Sequence, residues 1–453
     1  MIRFPFALSR RFRLHSARTQ RQLVFLLGGI ITGAAAVALA LLADEAQVSF
    51  RTLLLRSRYI SLLVTPLGFA IIAYLTRRVF PNSQGSGIPQ AIAARHLVDQ
   101  TARGKLVSLR IGIGKILLTL FGLLCGASIG REGPTVQVGA SIMFAVGRLS
   151  PRRQAGLILA GASAGVAAAF NTPLAGIVFG IEEMSRAFEE KTSALLIAAI
   201  VAAGLTSLAL LGDYTYFGTT SAKLGTVGWL AVPVCGVVGG LLGGLFSRIL
   251  VEFGRGIPGI FGRIIKRHPI VFAMLCGLGV ALCGIASHDT IYGTGYAQVR
   301  PLLNRGVPIP ESFGLLKLMA TALASISGIP GGIFSPSLAI GAGVGFNLSS
   351  LFPSTPVAAL VLLGMVSYFS GVVQAPITSF VIVTEMTNDH SMVVPLMAAA
   401  FIAKATSRLI CREGVYHALS RNFLAVTKES PSPDSPQEAK RDGRDGSKVT
   451  AGA

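Results

Sequence analysis

The chain has 453 residues, 52% of them hydrophobic and 13% charged, with 53 glycines and a mean hydropathy of +0.65. Soluble domains carry about 25% charged residues, so a water-soluble enzyme is excluded, and spans of roughly 20 apolar residues make this a multi-pass membrane protein. The 40 Lys and Arg against 20 Asp and Glu leave a net charge of +20, which in a membrane chain marks one side of the bilayer and does not call for a nucleic-acid partner.

Arg3, Arg10, Arg11, Arg13, Arg18 and Arg21 precede the first apolar run with no acid among them, so residues 1–21 are read as a basic cytoplasmic segment. The run at 23–43 is too long for a signal-peptide core and lacks a small-residue cleavage site, which makes it the first span. Further apolar segments fall at 59–75, 106–129, 154–170, 174–184, 193–212, 225–250, 270–287, 313–327, 337–350, 356–371, 377–386 and 391–410. Several are too short to cross a bilayer and are interrupted by Gly and Pro, the pattern of re-entrant or broken helices that line a cavity. Residues 421–453 are polar and nearly balanced in charge, and are expected to form a disordered cytoplasmic tail. Cys125, Cys235, Cys276, Cys283 and Cys411 lie in or beside apolar runs without pairing or ligand spacing, so neither a disulfide nor a metal is implied, and no cofactor is expected.

An internal repeat organises residues 22–420 into halves of roughly 22–212 and 225–420. An offset of 202 residues lays Lys115 on Lys317, Gly126 on Gly328, Gly130 on Gly332, Pro134 on Pro336 and Gly139 on Gly341; one inserted residue then lays Gly161 on Gly364, Pro173 on Pro376 and Glu182 on Glu385. Halves of this kind are parallel or upside down according to whether each crosses the bilayer an even or odd number of times, and the segment count alone leaves that open.

Three motifs place glycines just before a proline and a new apolar stretch: Gly85-Ser86-Gly87-Ile88-Pro89, Gly130-Arg131-Glu132-Gly133-Pro134 and Gly332-Ile333-Phe334-Ser335-Pro336. Each reads as a helix start, because proline suits a first turn whose N–H groups are unpaired in any case. Unpaired N–H groups at the positive end of a helix dipole attract anions without a full charge, which suits binding weak enough for release. Peptide ends from several such starts, Gly133 among them, are expected to meet around one anion. Glu132 either stabilises its own helix start or pairs with Arg131, or its carboxylate takes the anion's place and leaves when protonated, coupling proton to anion. Glu182 and Glu183 are acids in an apolar helix. Glu182, with a mate in the second half, fits a structural task performed twice. Glu183 is matched by Met386, so it serves either a one-sided task such as proton uptake or an ion pair with Arg186. Lys115 and Lys317, buried in apolar runs, read as charge partners or sources of a long-range field. No catalytic constellation is present, so the chain is not an enzyme.

The motifs GSGIP, GREGP and GIFSP, in this order and spacing, with the PLAGIVFGIEEM and VTEMTND stretches, resemble the CLC family of chloride channels and chloride/proton antiporters, over roughly residues 22 to 420. The resemblance implies an all-α polytopic membrane protein with two inverted-topology repeats of broken and re-entrant helices, working as a homodimer in the lipid of the cytoplasmic (inner) membrane with both termini cytoplasmic. It implies that chloride and protons are the transported species. Ser86 would offer its hydroxyl to the central anion, Ile333 and Phe334 their amides and Tyr416 its hydroxyl, with Gly85 and Ser86 near the inner mouth. Glu132 corresponds to the gate and Glu183 to the inner proton acceptor; acids at both positions favour exchange over the alternative, a passive channel. Ser86 favours chloride over nitrate or fluoride. Gln90, where many relatives carry Glu, is a departure.

Overall fold

A computed structural model describes residues 6–149, 153–185, 193–212 and 215–428. Arg3, Arg186 and residues 429–453 lie outside that description, as do the side chains of Arg10, Arg11, Arg13, Arg18 and Arg21. Among the described residues the chain is helical and has no sheet, only two isolated bridges. In the first half α1 (Phe6–Arg56), α2 (Ser61–Arg78), α3 (Ile88–His96), α4 (Gln100–Gly104), α5 (Leu109–Leu124), α6 (Glu132–Val146), α7 (Gln154–Phe170), α8 (Pro173–Phe179, continued by a π-turn at Gly180–Ser185) and α9 (Ser193–Leu211) follow one another. The second half contains α10 (Ala231–Arg255), α11 (Gly259–Arg267), α12 (Pro269–Ala286), α13 (Tyr296–Arg305), α14 (Phe313–Ile326), α15 (Phe334–Leu348), α16 (Val357–Val373), α17 (Pro376–Thr387), α18 (Val393–Ile410) and α19 (Val415–Lys428).

Seven of the described helices are long and apolar enough to cross a bilayer, and α7, α14 and α16 are shorter apolar helices. The interrupted segments of the sequence are thus short helices whose ends lie inside the protein. The last helix continues to Lys428, so the first eight residues of the expected tail are helical. Phe423 and Leu424 extend the apolar stripe of Leu419 and pack on the core, which holds the extra turns in place.

The repeat is realised helix by helix. α6 and α15 keep the offset of 202 at both ends, and α7 and α16 the offset of 203. The relation reaches further upstream than the sequence suggested: α2 and α12 are both 18 residues long, are offset by 208, and pack on each other. Equivalent segments also meet at the centre, where Gly130 N donates to Gly332 O at 2.7 Å and Gly332 N to Gly130 O at 2.8 Å in an antiparallel bridge. Equivalent residues that bridge antiparallel are related by a local two-fold axis, the relation that an inverted repeat requires. Where α6 crosses α7, a methyl group on Gly139 would overlap the Gly161 carbonyl; the equivalent pair Gly341 and Gly364 repeats the contact. Small residues let apolar helices approach closely in lipid, where burial from water supplies no drive.

The two halves cap each other. Glu385 Oε1 and Oε2 accept from Leu174 N (3.1 Å) and Ala175 N (2.8 Å) at the start of α8. Glu182 Oε1 and Oε2 accept from Ile377 N (3.3 Å) and Thr378 N (2.6 Å) at the start of α17. The structural task assigned to Glu182 by its repeat mate is therefore this exchange of carboxylates between helix N-termini, where negative charge is favoured. Replacing Glu385 by Ala should destabilise the fold by about 1–2 kcal/mol, as for a lost helix cap, read as a lower unfolding temperature in detergent. Glu182→Ala should do the same, and neither should change the ratio of anions to protons moved.

A candidate anion site at two opposed helix starts

The first motif is a loop held open by its lysine. Gly85 (φ 63) and Gly87 (φ 98) adopt left-handed backbone that side chains disfavour, as do Gly293 (φ 68) and Gly295 (φ 88) 208 residues later. Lys115 Nζ donates to Ser83 O (2.8 Å) and Gly85 O (2.5 Å); Lys317 Nζ donates to Ile291 O (2.7 Å) and Gly293 O (2.6 Å). Both ammonium groups are wholly buried. The expected role of these lysines as charge partners is corrected here: among the described residues they form no ion pair, and their charge is met by the carbonyls of two equivalent loops. The Gly85 loop is fixed further by Gly85 N donating to Ile329 O at 3.1 Å and Gly331 N to Gly85 O at 2.9 Å. Gln90 Nε2 donates to Gln84 O at 2.6 Å, so this departure from the family pattern closes the same loop.

These tethers bring the three motifs together. A methyl group on Gly133 would lie 2.8 Å from Ser86 O and 3.1 Å from Gly332 Cα, so the starts of α3, α6 and α15 abut backbone to backbone. The amides of Gly133, Ile333 and Phe334 have no acceptor among the described residues, as the first turn of a helix dictates. The Phe334 ring sits 4.5 Å from that of Phe369 and stacks on Tyr416 at 6.1 Å and 12°, which seats Tyr416, on the last helix, against α15. Ser86 Oγ and Tyr416 Oη are buried without hydrogen-bond partners. Gly85, Ser86, Ile333 and Tyr416 line one cavity of about 570 Å³ whose rim carries the exposed Arg77 and Lys105. Cations at such a mouth raise the local anion concentration.

Glu132 occupies the first turn of α6 and is fully buried. Its Oε1 accepts from Ser335 Oγ at 2.5 Å and lies 3.5 Å from Tyr216 Oη, while Oε2 has no partner. Among the described residues Arg131 makes no ion pair with it; that guanidinium pairs with Asp44 at 2.8 Å and donates to Ala40 O. A carboxylate thus stands where two helix starts meet. Ser335 and Tyr216 escaped sequence reasoning: Ser335 sits inside a motif read for its backbone, and Tyr216 lies in a loop between apolar runs with no pattern around it.

Glu183 is apart from these residues in the chain and in access. It is buried on the π-turn after α8, and His417, the residue following Tyr416, places Nε2 at 2.7 Å from Glu183 O and 3.7 Å from Glu183 Oε1. A second cavity of about 490 Å³, lined by Glu182, Glu183, Lys404, Arg408 and Arg412, reaches the same turn. The cavity at Ser86 and the cavity at Glu183 share no lining residue.

Inverted halves, broken helices and N-termini gathered on a buried carboxylate define a polytopic membrane protein of the transporter class. The family profile described as voltage gated chloride channel matches residues 68–408, and the chain belongs to the CLC family. It is 29% identical over 439 residues to the H(+)/Cl(−) exchange transporter ClcA of Yersinia pestis, covering 89% of this chain and 87% of that one. It is 30% identical over 392 residues to the protein of the same name from Vibrio parahaemolyticus, covering 82% and 80%. In fold it matches the crystal structure of a slow cyanobacterial Cl−/H+ antiporter (TM-score 0.77, 24% identity, 89% of this chain and 98% of that one). A CLC-type fluoride/proton antiporter matches with a TM-score of 0.74 at 24% identity, over 88% and 98%.

Proposed function

We propose that the chain exchanges chloride for protons across the cytoplasmic membrane, with Glu132 as the gate. The observation that carries this reading is the buried Glu132 carboxylate at the junction of two helix starts, directly beyond the cavity that ends at Ser86, Ile333 and Tyr416. Chloride is held by the amides of Gly133, Ile333 and Phe334 and by the Ser86 and Tyr416 hydroxyls, with Gly85 shaping the inner mouth. None of these groups carries a full charge, so the anion binds and leaves. The Glu132 carboxylate competes for the same amides. Protonated, it loses that attraction and withdraws, so one side chain admits either a proton or an anion.

Glu183 supplies protons from the inner side. A buried acid at a membrane helix end is costly unless it has a task, and relatives named as H(+)/Cl(−) exchange transporters support exchange over passive conduction. The basic first segment supports a cytoplasmic N-terminus, and the C-terminus is read as cytoplasmic with it. A homodimer fits the side-by-side order of α9, α8, α17 and α18, which together expose Leu205, Leu174, Ile377, Val394 and Phe401.

Purified protein in chloride-loaded liposomes tests the reading. An imposed chloride gradient should drive protons uphill, with Glu183→Gln removing proton movement and leaving chloride flux. Chloride flux without proton movement in the unaltered protein would instead establish a channel.

A further inference from the structure

We propose that His417 carries protons between water and Glu183. The inference rests on the reading of Glu183 as the inner proton acceptor and adds the group that feeds it. His417 lies on α19, and its Nε2 faces Glu183, 2.7 Å from the backbone oxygen and 3.7 Å from Oε1. A carbonyl oxygen has no proton to give, so Nε2 carries the hydrogen in the neutral ring and Nδ1 keeps the lone pair. The side chain is 13% exposed against 4% for that of Glu183. His417 lines a third cavity of about 550 Å³ together with His96, Ser420 and Arg421. The ring therefore lies between that cavity and the buried acid.

The transfer balances without a further reactant. A proton from water joins Nδ1, the ring becomes cationic, and the Nε2–H bond breaks as the proton passes to a Glu183 oxygen. That oxygen lies about 1 Å beyond hydrogen-bond distance, within the reach of a side-chain rotation. The ring is left neutral with its proton on Nδ1; it resets by rotating into the cavity, where Nε2 takes a proton from water and Nδ1 returns one, restoring the first tautomer.

The second cavity reaches Glu183 too, and its cations Lys404, Arg408 and Arg412 stand beside Glu182 and Glu413; what marks the other approach is a titratable ring 3.7 Å from Glu183 Oε1. Around His417 the cations are engaged. Arg421 pairs with Glu413 at 2.6 Å, and Arg95 on α3 donates to Met184 O and Ser185 O. His96, at the end of α3, and Glu183 are the other titratable groups facing it among the described residues. The charged residues of α10, Arg248, Glu252 and Arg255, border a separate cavity on the Ala418 side of α19.

The test measures chloride-driven proton transport by the full chain in liposomes, across a range of pH, for His417→Ala and His417→Gln, with Glu183→Gln in parallel. Gln preserves a donor to Glu183 O but cannot relay a proton, so it separates relay from packing. Both His417 variants should slow proton transport by about a hundredfold, within the range of a lost acid–base group, and flatten its pH profile. Imidazole added to the buffer should restore transport in His417→Ala, and chloride affinity in detergent should stay within about twofold of the parent. Wild-type proton transport in both His417 variants while Glu183→Gln is uncoupled would overturn the relay alone, leaving Glu183 in place. Full coupling in Glu183→Gln would overturn both readings, and slowed transport without imidazole rescue in His417→Ala, or with weakened chloride binding, would reduce His417 to a structural role.

Discussion

Glu132→Gln should leave chloride flowing through the protein while proton movement falls to the background of empty liposomes. The amide has nearly the shape of the carboxylate and keeps an oxygen to accept the Ser335 hydroxyl bond seen at 2.5 Å, so the fold around α6 is preserved. It differs in two physical respects. It carries no negative charge to compete for the amides of Gly133, Ile333 and Phe334, and it has no titratable proton to move. Losing an obligatory proton carrier reduces proton flux by at least about a hundredfold, and chloride affinity should rise because the tethered competitor has become neutral. Simultaneous recording of external chloride and pH checks the first effect, and calorimetric titration with chloride the second. Proton pumping that persists in this variant would remove Glu132 from the pathway, whatever the anion does.

The centre of the molecule was legible in the sequence because its constraints are backbone constraints. Gly130 and Gly332 must approach to hydrogen-bond distance, Pro134 and Pro336 must open helices, and few residue types satisfy either demand, so the repeat survives there as identity. The chain order of GSGIP, GREGP and GIFSP then said which starts would meet. Upstream the same symmetry was hidden. Gly85-Ser86-Gly87 and Gly293-Thr294-Gly295 share only their glycines, and α4 (Gln100–Gly104) lies between the loop and its lysine in the first half, shifting the offset from 202 to 208. Side-chain partnerships left still less trace. Tyr216 and Ser335 reach Glu132 from segments distant in the chain, and nothing local to His417 declares that it faces Glu183. The charge-partner reading of the lysines failed for a related reason, which leaves the long-range-field reading untouched: a buried lysine suggests a carboxylate, whereas two loops of left-handed glycine present carbonyls that serve the same purpose without leaving any acid to be read.

That pairing of loops and lysines gives the second large effect, an asymmetry between substitutions that look alike. Lys115→Met and Lys317→Met each remove an ammonium group donating to two carbonyls, Ser83 and Gly85 in one half and Ile291 and Gly293 in the other. Lys115→Met leaves Ser83 O without its donor while Gly85 O keeps Gly331 N, and Lys317→Met leaves Ile291 O and Gly293 O without theirs, at about 1–3 kcal/mol per group, so both variants should unfold at lower temperature in detergent, Lys317→Met by at least as much. Their consequences for anions should differ. The loop held by Lys115 carries Ser86, whose hydroxyl has no other partner and faces the cavity ending at Ile333 and Tyr416. The loop held by Lys317 carries Thr294, whose amide and hydroxyl both donate to Gln47 Oε1, at 2.9 and 3.2 Å, so its polar groups are committed to α1. Chloride affinity should therefore fall by about tenfold or more in Lys115→Met, a loss of roughly 1.4 kcal/mol, and change little in Lys317→Met. Equal losses of affinity in the two variants would mean that the two equivalent loops serve the anion alike, and that Ser86 has no privileged place at the site.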